Sequence, residues 1–137
     1  LEGVRESRIN RDEPLPEEGA VVPPAGLPAD ALGVWHRLAP DLITKRVLTA
    51  WDVDTFALFC RSTAIYNRAA AELDADPGVT TEGQRTTVVK PQFRVMQQAA
   101  QTMMAAGARF GLTPADRAAL KVDRGEKPTM GAERLIT

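Results

Sequence analysis

Phe110-Gly111-Leu112-Thr113-Pro114-Ala115-Asp116-Arg117 ends one helix and begins another within a few residues. Gly111 suits the left-handed position just past a helix C-terminus, where most side chains are strained. Thr113 suits an N-cap and Pro114 the first helical position, whose N–H has no intrahelical partner in any case. Asp116 then falls at the third position of a capping box. The segment is a helix stop followed by a restart, so the long apolar pattern ahead of it belongs to a helix. That pattern starts at Pro91 and places Phe93, Met96, Ala100, Met103, Gly107 and Phe110 at alternating spacings of three and four, the seam of a packed helix. Ala99, Thr102 and Ala106 line a second face with small side chains that let another helix approach closely.

Working back from this pattern, Thr49 and Asp52 form another capping box, predicting a helix that runs to Leu73 or Asp74. Phe56, Phe59 or Cys60, Thr63, Tyr66 or Asn67, Ala70 and Leu73 lie along one stripe of it. Leu58, Ile65 and Ala69 lie elsewhere, so the apolar sector is wider than one packing face needs and implies a second partner. An earlier helix is predicted from Ala29 or Asp30, with Leu32, Trp35, Leu38 or Ala39 and Leu42 facing inward. Pro40 falls inside it and predicts a kink or break. Residues 74–90, with Asp76-Pro77-Gly78 and a run of Thr and Val, read as a loop with room for a short hairpin around Gly83.

Residues 1–28 contain five of the ten prolines, at 14, 16, 23, 24 and 28, and no sustained apolar period. They read as an extended N-terminal arm with polyproline character or, on composition, as a disordered tail. The expected organisation is an arm over 1–28, a helical oligomerisation core over 29–122 and a polar tail over 123–137. The fold class is all-α, with two long helices, shorter flanking helices and assembly into a homo-oligomer because one chain does not finish its own core.

A chain of 137 residues, 44% of them apolar, supports one small domain whose high surface-to-volume ratio favours association. Its net charge of −1 hides an asymmetry. Residues 1–30 hold three Arg against seven acids, net −4, while residues 90–137 hold eight Lys and Arg against four acids, net +4. One Cys and one His exclude an internal disulfide and a Cys/His zinc site. There is neither a run of 18 apolar residues nor a signal segment, which points away from membranes and toward the cytoplasm.

Catalytic readings fail one by one. No phosphate-binding loop of either glycine-rich type is present. His36 has no nucleophile to activate, Cys60 reads as a small buried hydrophobe, and Asp52 and Asp54 at i and i+2 do not face one another. Met103 and Met104 read as core. No cofactor and no metal is expected. Basic residues remain as candidate contacts for duplex DNA, which demands accessible cations: Lys45 and Arg46 after the first helix, Lys90 and Arg94 at the start of the third, and Arg117, Lys121, Arg124 and Lys127 at spacings of three or four. Lys45 and Arg46 equally suit the negative end of the first helix. Candidate oligomer contacts are Phe56, Phe59 and Tyr66 on the second helix and Met96, Ala99, Met103 and Ala106 on the third.

Taken together, Trp35-His36-Arg37-Leu38-Ala39-Pro40-Asp41-Leu42, then Val47-Leu48-Thr49-Ala50-Trp51-Asp52, Phe59-Cys60, Tyr66 and the late Gly111-Leu112-Thr113-Pro114-Ala115-Asp116-Arg117 turn resemble the small subunit of the tailed-phage terminase. The resemblance covers Arg8 to Val122; Lys90 stands before Pro91 where the family often has Asn. It implies a non-catalytic, ring-forming homo-oligomer in the host cell cytoplasm that recognises the packaging start of viral double-stranded DNA. Its other partner is the terminase large subunit, which carries the ATPase and nuclease. The resembled family also has a Lys- and Arg-rich segment ahead of its arm, and Gly3 to Asn10 looks like the tail of one. Two other readings stay open: a head-tail connector ring, and a helix-turn-helix regulator built from Leu32–Ile43 and Thr49–Leu73.

Overall fold

The computed structural model of the chain describes residues 19–78, 80–83 and 85–123. The elements are α1 (Ala29–Thr44), a 3-10 turn (Ala50–Asp52), α2 (Val53–Ala75), β1 (Thr80–Glu82), β2 (Thr87–Val89), α3 (Pro91–Ala108) and α4 (Pro114–Asp123). The described part is thus mostly helical. The predicted capping box at Thr49 forms, and the one at Thr113 forms through its side chain. The Asp52 carboxylate accepts from the Thr49 N–H at 2.9 Å and its hydroxyl at 2.7 Å. Asp116 N–H donates to the Thr113 hydroxyl at 3.2 Å while that hydroxyl donates to the Asp116 carboxylate. Between α3 and α4, Gly111 adopts a φ of +63°, and a Cβ there would stand 2.6 Å from Leu120 Cδ1. The left-handed turn and the return of α4 both require the bare backbone.

The chain runs through Pro40 without leaving the helix. Pro40 is exposed, as are His36 and Arg37 on the preceding turn. The bond that proline removes lies on the solvent-facing side, and of the kink or break expected there the break does not occur. Thr44 donates its hydroxyl to the Pro40 carbonyl at 2.9 Å.

α2 and α3 form an antiparallel hairpin and make the most extensive contact of the fold, with α1 packed on another side of α2. Phe56 is the hub. Its ring centroid lies 4.9 Å from Trp35 on α1, 5.9 Å from Phe59 on its own helix and 5.2 Å from Phe110 after α3. Across the hairpin the contact is made by small residues, Ala99, Ala106 and Gly107. A Cβ on Gly107 would stand 3.1 Å from Phe59 Cε2, so the absent side chain sets how closely α3 approaches. Most of the broad apolar sector of α2 is thus covered by two helices of the same chain, while Leu58 stays about half exposed. Val21 and Leu27, from the segment expected to be an arm, also pack against this cluster. Residues 1–18 of that arm and the tail from 124 onward lie outside the described residues.

The loop between α2 and α3 holds the hairpin suggested by its Thr and Val content. β1 and β2 pair antiparallel with Thr80 opposite Val89, Thr81 opposite Val88 and Glu82 opposite Thr87. Its base is tied by Lys90, whose ammonium donates to the Asp76 carbonyl at 2.7 Å and carboxylate at 2.9 Å.

Candidate functional site

Because α3 runs antiparallel to α2, the C-terminal end of α3 returns to the start of α2. A shallow groove there is lined by Thr55, Leu58, Gln101, Thr102, Ala105, Ala106 and Arg109. At the opposite end, Ile65, Arg68, Ala69 and Glu72 of α2 meet Pro91, Gln92 and Val95 of α3. This geometry sorts the sequence-predicted cations into two groups. Lys45 and Arg46 lie in the turn that leads to α2, and Arg117 and Lys121 lie on α4, all at the end where α3 terminates. Arg109, missed by the sequence reading, is exposed beside them. Lys90 and Arg94 lie at the ribbon end, the length of α3 away, roughly 25 Å at 1.5 Å per residue.

Local chemistry then distinguishes the members. Lys45 caps α1, and its side chain pairs with Asp41 one turn back at 3.1 Å, both largely exposed. Arg46 has a φ of +57°, a position where glycine is the usual occupant and a side chain costs about 1 kcal/mol. Its N–H bonds the Ile43 carbonyl at 2.9 Å and the next N–H reaches back to Leu42 at 2.9 Å, closing the helix end. Arg117 is exposed, yet one guanidinium N–H donates to the Gly111 carbonyl at 3.3 Å, so it braces the turn between α3 and α4. Arg94 is exposed on the first turns of α3. Lys90 is corrected: at 9% exposure and committed to Asp76, it fastens the ribbon and offers no accessible charge to DNA. Arg124 and Lys127 lie outside the described residues.

The oligomer candidates divide in the same way. Phe56, Phe59, Ala99 and Ala106 are buried inside the chain, which leaves them little surface for a second copy. Within the chain they serve the packing of α2 against α1 and α3. Tyr66, Met96 and Met103 are half-buried, with Met103 packed against the core. Met104, read as core, is 58% exposed instead. The apolar side chains that do reach solvent include Trp51, 63% exposed in the 3-10 turn, Leu58 at 48% beside the groove, and Val95 at the other end.

Two titrating groups show what the helices do electrostatically. Asp30, at the start of α1, accepts from Arg68 of α2 at 2.7 Å, and that hydrogen bond holds its carboxyl below the usual carboxylate range. Burial pushes the Cys60 thiol up to about 12, which suppresses the thiolate that any nucleophilic role needs. Among the described residues no cluster of His, Cys, Asp and Glu has the makings of a metal site, and no helix is long and apolar enough to cross a membrane.

The site is therefore a set of exposed cations and apolar side chains on a helical frame. A family model described as phage terminase, small subunit, matches residues 31–127, well over half of the chain. No curated protein and no solved structure matches it. The matched span takes in α1, the α2 and α3 hairpin with its ribbon, and α4, the same elements that carry the sequence resemblance. On that match the chain belongs to the phage terminase small subunit family and serves phage DNA packaging.

Proposed function

We propose that this chain is the non-catalytic, DNA-recognising component of the packaging machinery, acting as a homo-oligomeric ring in the host cytoplasm. It holds the packaging start of viral double-stranded DNA and regulates the large ATPase and nuclease subunit. The family match over residues 31–127 carries the reading. Cations gathered where α3 terminates, Lys45, Arg46, Arg109, Arg117 and Lys121, form the DNA-contacting surface, with Arg94 outlying. The oligomer contact uses the exposed apolar residues Leu58, Val95 and Met104 together with Tyr66 and Met96. A helix-turn-helix role fits less well, since α2 is occupied on two sides by α1 and α3 of its own chain.

The test combines DNA affinity with stimulation of the large subunit's ATPase. Arg46→Gly is the most informative variant, because glycine suits a φ of +57° and the turn is retained. Its melting temperature should stay at or above that of the wild type while DNA affinity falls about two- to fivefold, the loss of one phosphate contact among several. Unchanged affinity in Arg46→Gly and in an Arg109→Ala, Lys121→Ala double variant would remove DNA from this surface. A purified protein that leaves the large subunit's ATPase rate unaltered would refute the regulatory role.

A further inference from the structure

β1 and β2 stand apart from the helical core. Thr80, Glu82, Thr87, Val88 and Val89 are all exposed, and the ribbon has no third strand among the described residues. A two-stranded hairpin with exposed side chains is marginal in water, and both of its edges display unpaired backbone groups. This one is nonetheless pinned at its base by the nearly buried Lys90 ammonium on Asp76.

The closing hydrogen bond fixes which groups each edge presents. Gly83 N–H donates to the Thr86 carbonyl at 2.7 Å, making those two a bonded pair. Bonded and non-bonded pairs alternate along an antiparallel ladder. In the register observed, Thr81 and Val88 therefore turn their backbone groups toward each other. Thr80 and Glu82 on β1, and Thr87 and Val89 on β2, turn theirs outward. Each edge offers two residues two apart, and the spacing of one edge matches the other.

Charge selects the occupant. Glu72, Asp74 and Glu82 share this end with Arg85 and Arg94, and Asp76 and Lys90 neutralise each other, so the end is close to balanced in charge and offers no basic track to a phosphate backbone. The edges themselves are mostly Thr and Val, with a carboxylate on β1 at Glu82 and a guanidinium at Arg85 leading into β2. Two β1 edges side by side bring carboxylates together, and two β2 edges bring guanidiniums together. Unlike edges bring opposite charges together.

We propose that the β1 edge of one copy of this chain pairs with the β2 edge of the next, extending each ribbon into an intersubunit sheet. In the register that matches the outward groups, Glu82 lies opposite Thr87 of the neighbouring copy and diagonal to its Arg85. The proposal rests on the homo-oligomer reading above and adds the element that links the copies.

Hydrogen–deuterium exchange over residues 80–89, with native mass measured on the same sample, tests it. In the assembled wild type the amides of Thr80, Glu82, Thr87 and Val89 should exchange at least about 100-fold more slowly than in a free peptide. Thr87→Pro removes only an outward N–H and keeps the Thr81 and Val88 pair. It should abolish protection at Thr80 and Glu82 while α2 and α3 stay protected. Should that variant unfold, Glu82→Arg should lose the same protection and the Glu82→Arg, Arg85→Glu double variant should regain it. An oligomer whose four outward amides exchange at the free-peptide rate overturns the ribbon pairing alone. A monomer at micromolar concentration overturns both the oligomer reading and the pairing. Protection that arises only when duplex DNA is added assigns the ribbon to DNA and likewise overturns it.

Discussion

Replacing Phe56 with Ala separates a core residue from an interface residue, because the structure places this ring at full burial between Trp35, Phe59 and Phe110. A buried Phe→Ala change costs about 3–5 kcal/mol through lost transfer energy and the cavity left behind. Three aromatic neighbours each forfeit a further fraction of a kcal/mol, which sets the expectation at the upper end, roughly 4–5 kcal/mol. For a domain of this size about 4 °C of melting temperature goes with each kcal/mol, so Phe56→Ala should melt ~16–20 °C lower. With an m-value of about 1.5 kcal/mol per molar urea, its midpoint should fall by about 3 M. Circular dichroism on heating and in urea reads both quantities, and native mass reports the assembly. The contrasting variant is Leu58→Glu, about half exposed beside the groove. It should leave the midpoint nearly unchanged and reduce the oligomer. Phe56→Ala that melts within a few degrees of the wild type yet dissociates the assembly would refute the burial argument and return the ring to an intersubunit contact.

Three further outcomes follow from individual contacts. Cys60, whose thiol burial raises from its ordinary value of 9.0 to about 12, should resist thiol reagents in the folded chain and react on unfolding. Because the folded state holds this proton more tightly, stability should decline as pH rises from about 9 toward 12, and Cys60→Ala should flatten that decline. Lys90→Met keeps the apolar stem but removes the ammonium from Asp76; a loss of about 1–3 kcal/mol and faster exchange across the ribbon are expected, and neutral stability would deny Lys90 its fastening role. Gly111→Ala should cost about 1–3 kcal/mol from the left-handed φ and the approach of Leu120, with α4 losing exchange protection first; an unaffected α4 would count against the docking geometry.

Much of the helical frame was legible because its signals are local. Thr49 with Asp52 and Thr113 with Asp116 are three residues apart, and each acts through its own backbone, so no tertiary context is needed to place α2 and α4. What was not legible depends on which neighbour covers a given face. The wide apolar sector of α2 was correctly seen, but a sequence does not say whether its second partner is α3 of the same chain or a helix of another copy. The small residues Ala99, Ala106 and Gly107 answer that, since they admit α3 against Phe59. Met103 and Met104 read alike, yet adjacent helical positions differ by about 100° and only the first turns inward. Lys90 read as part of a basic patch because its acid partner lies 14 residues upstream and meets it only once the ribbon has formed. Pro40 does not end α1 for a related reason: the rule against proline inside a helix weakens where the lost bond faces water.

The division of cations between two ends of the hairpin bears on how such a small chain holds DNA. At the end where α3 terminates, one copy offers Lys45, Arg46, Arg109, Arg117 and Lys121; Lys45 pairs with Asp41, and Arg117 donates to the Gly111 carbonyl. Each phosphate neutralised contributes about −0.9 to the slope of log affinity against log salt, so these five described contacts supply about −4.5 per copy. Arg94, roughly 25 Å away along α3 by the rise of the helix, does not extend the same phosphate track. If copies in an assembly bind one duplex together, their contacts add and the slope should exceed that value. A titration of DNA affinity between low and physiological salt decides the matter, provided native mass is followed in parallel. A slope steeper than about −5 exceeds what these five described cations of one copy supply. A slope of −2 or shallower, from an intact oligomer, would mean that the described cations make few phosphate contacts even collectively, and the proposed DNA surface would fall.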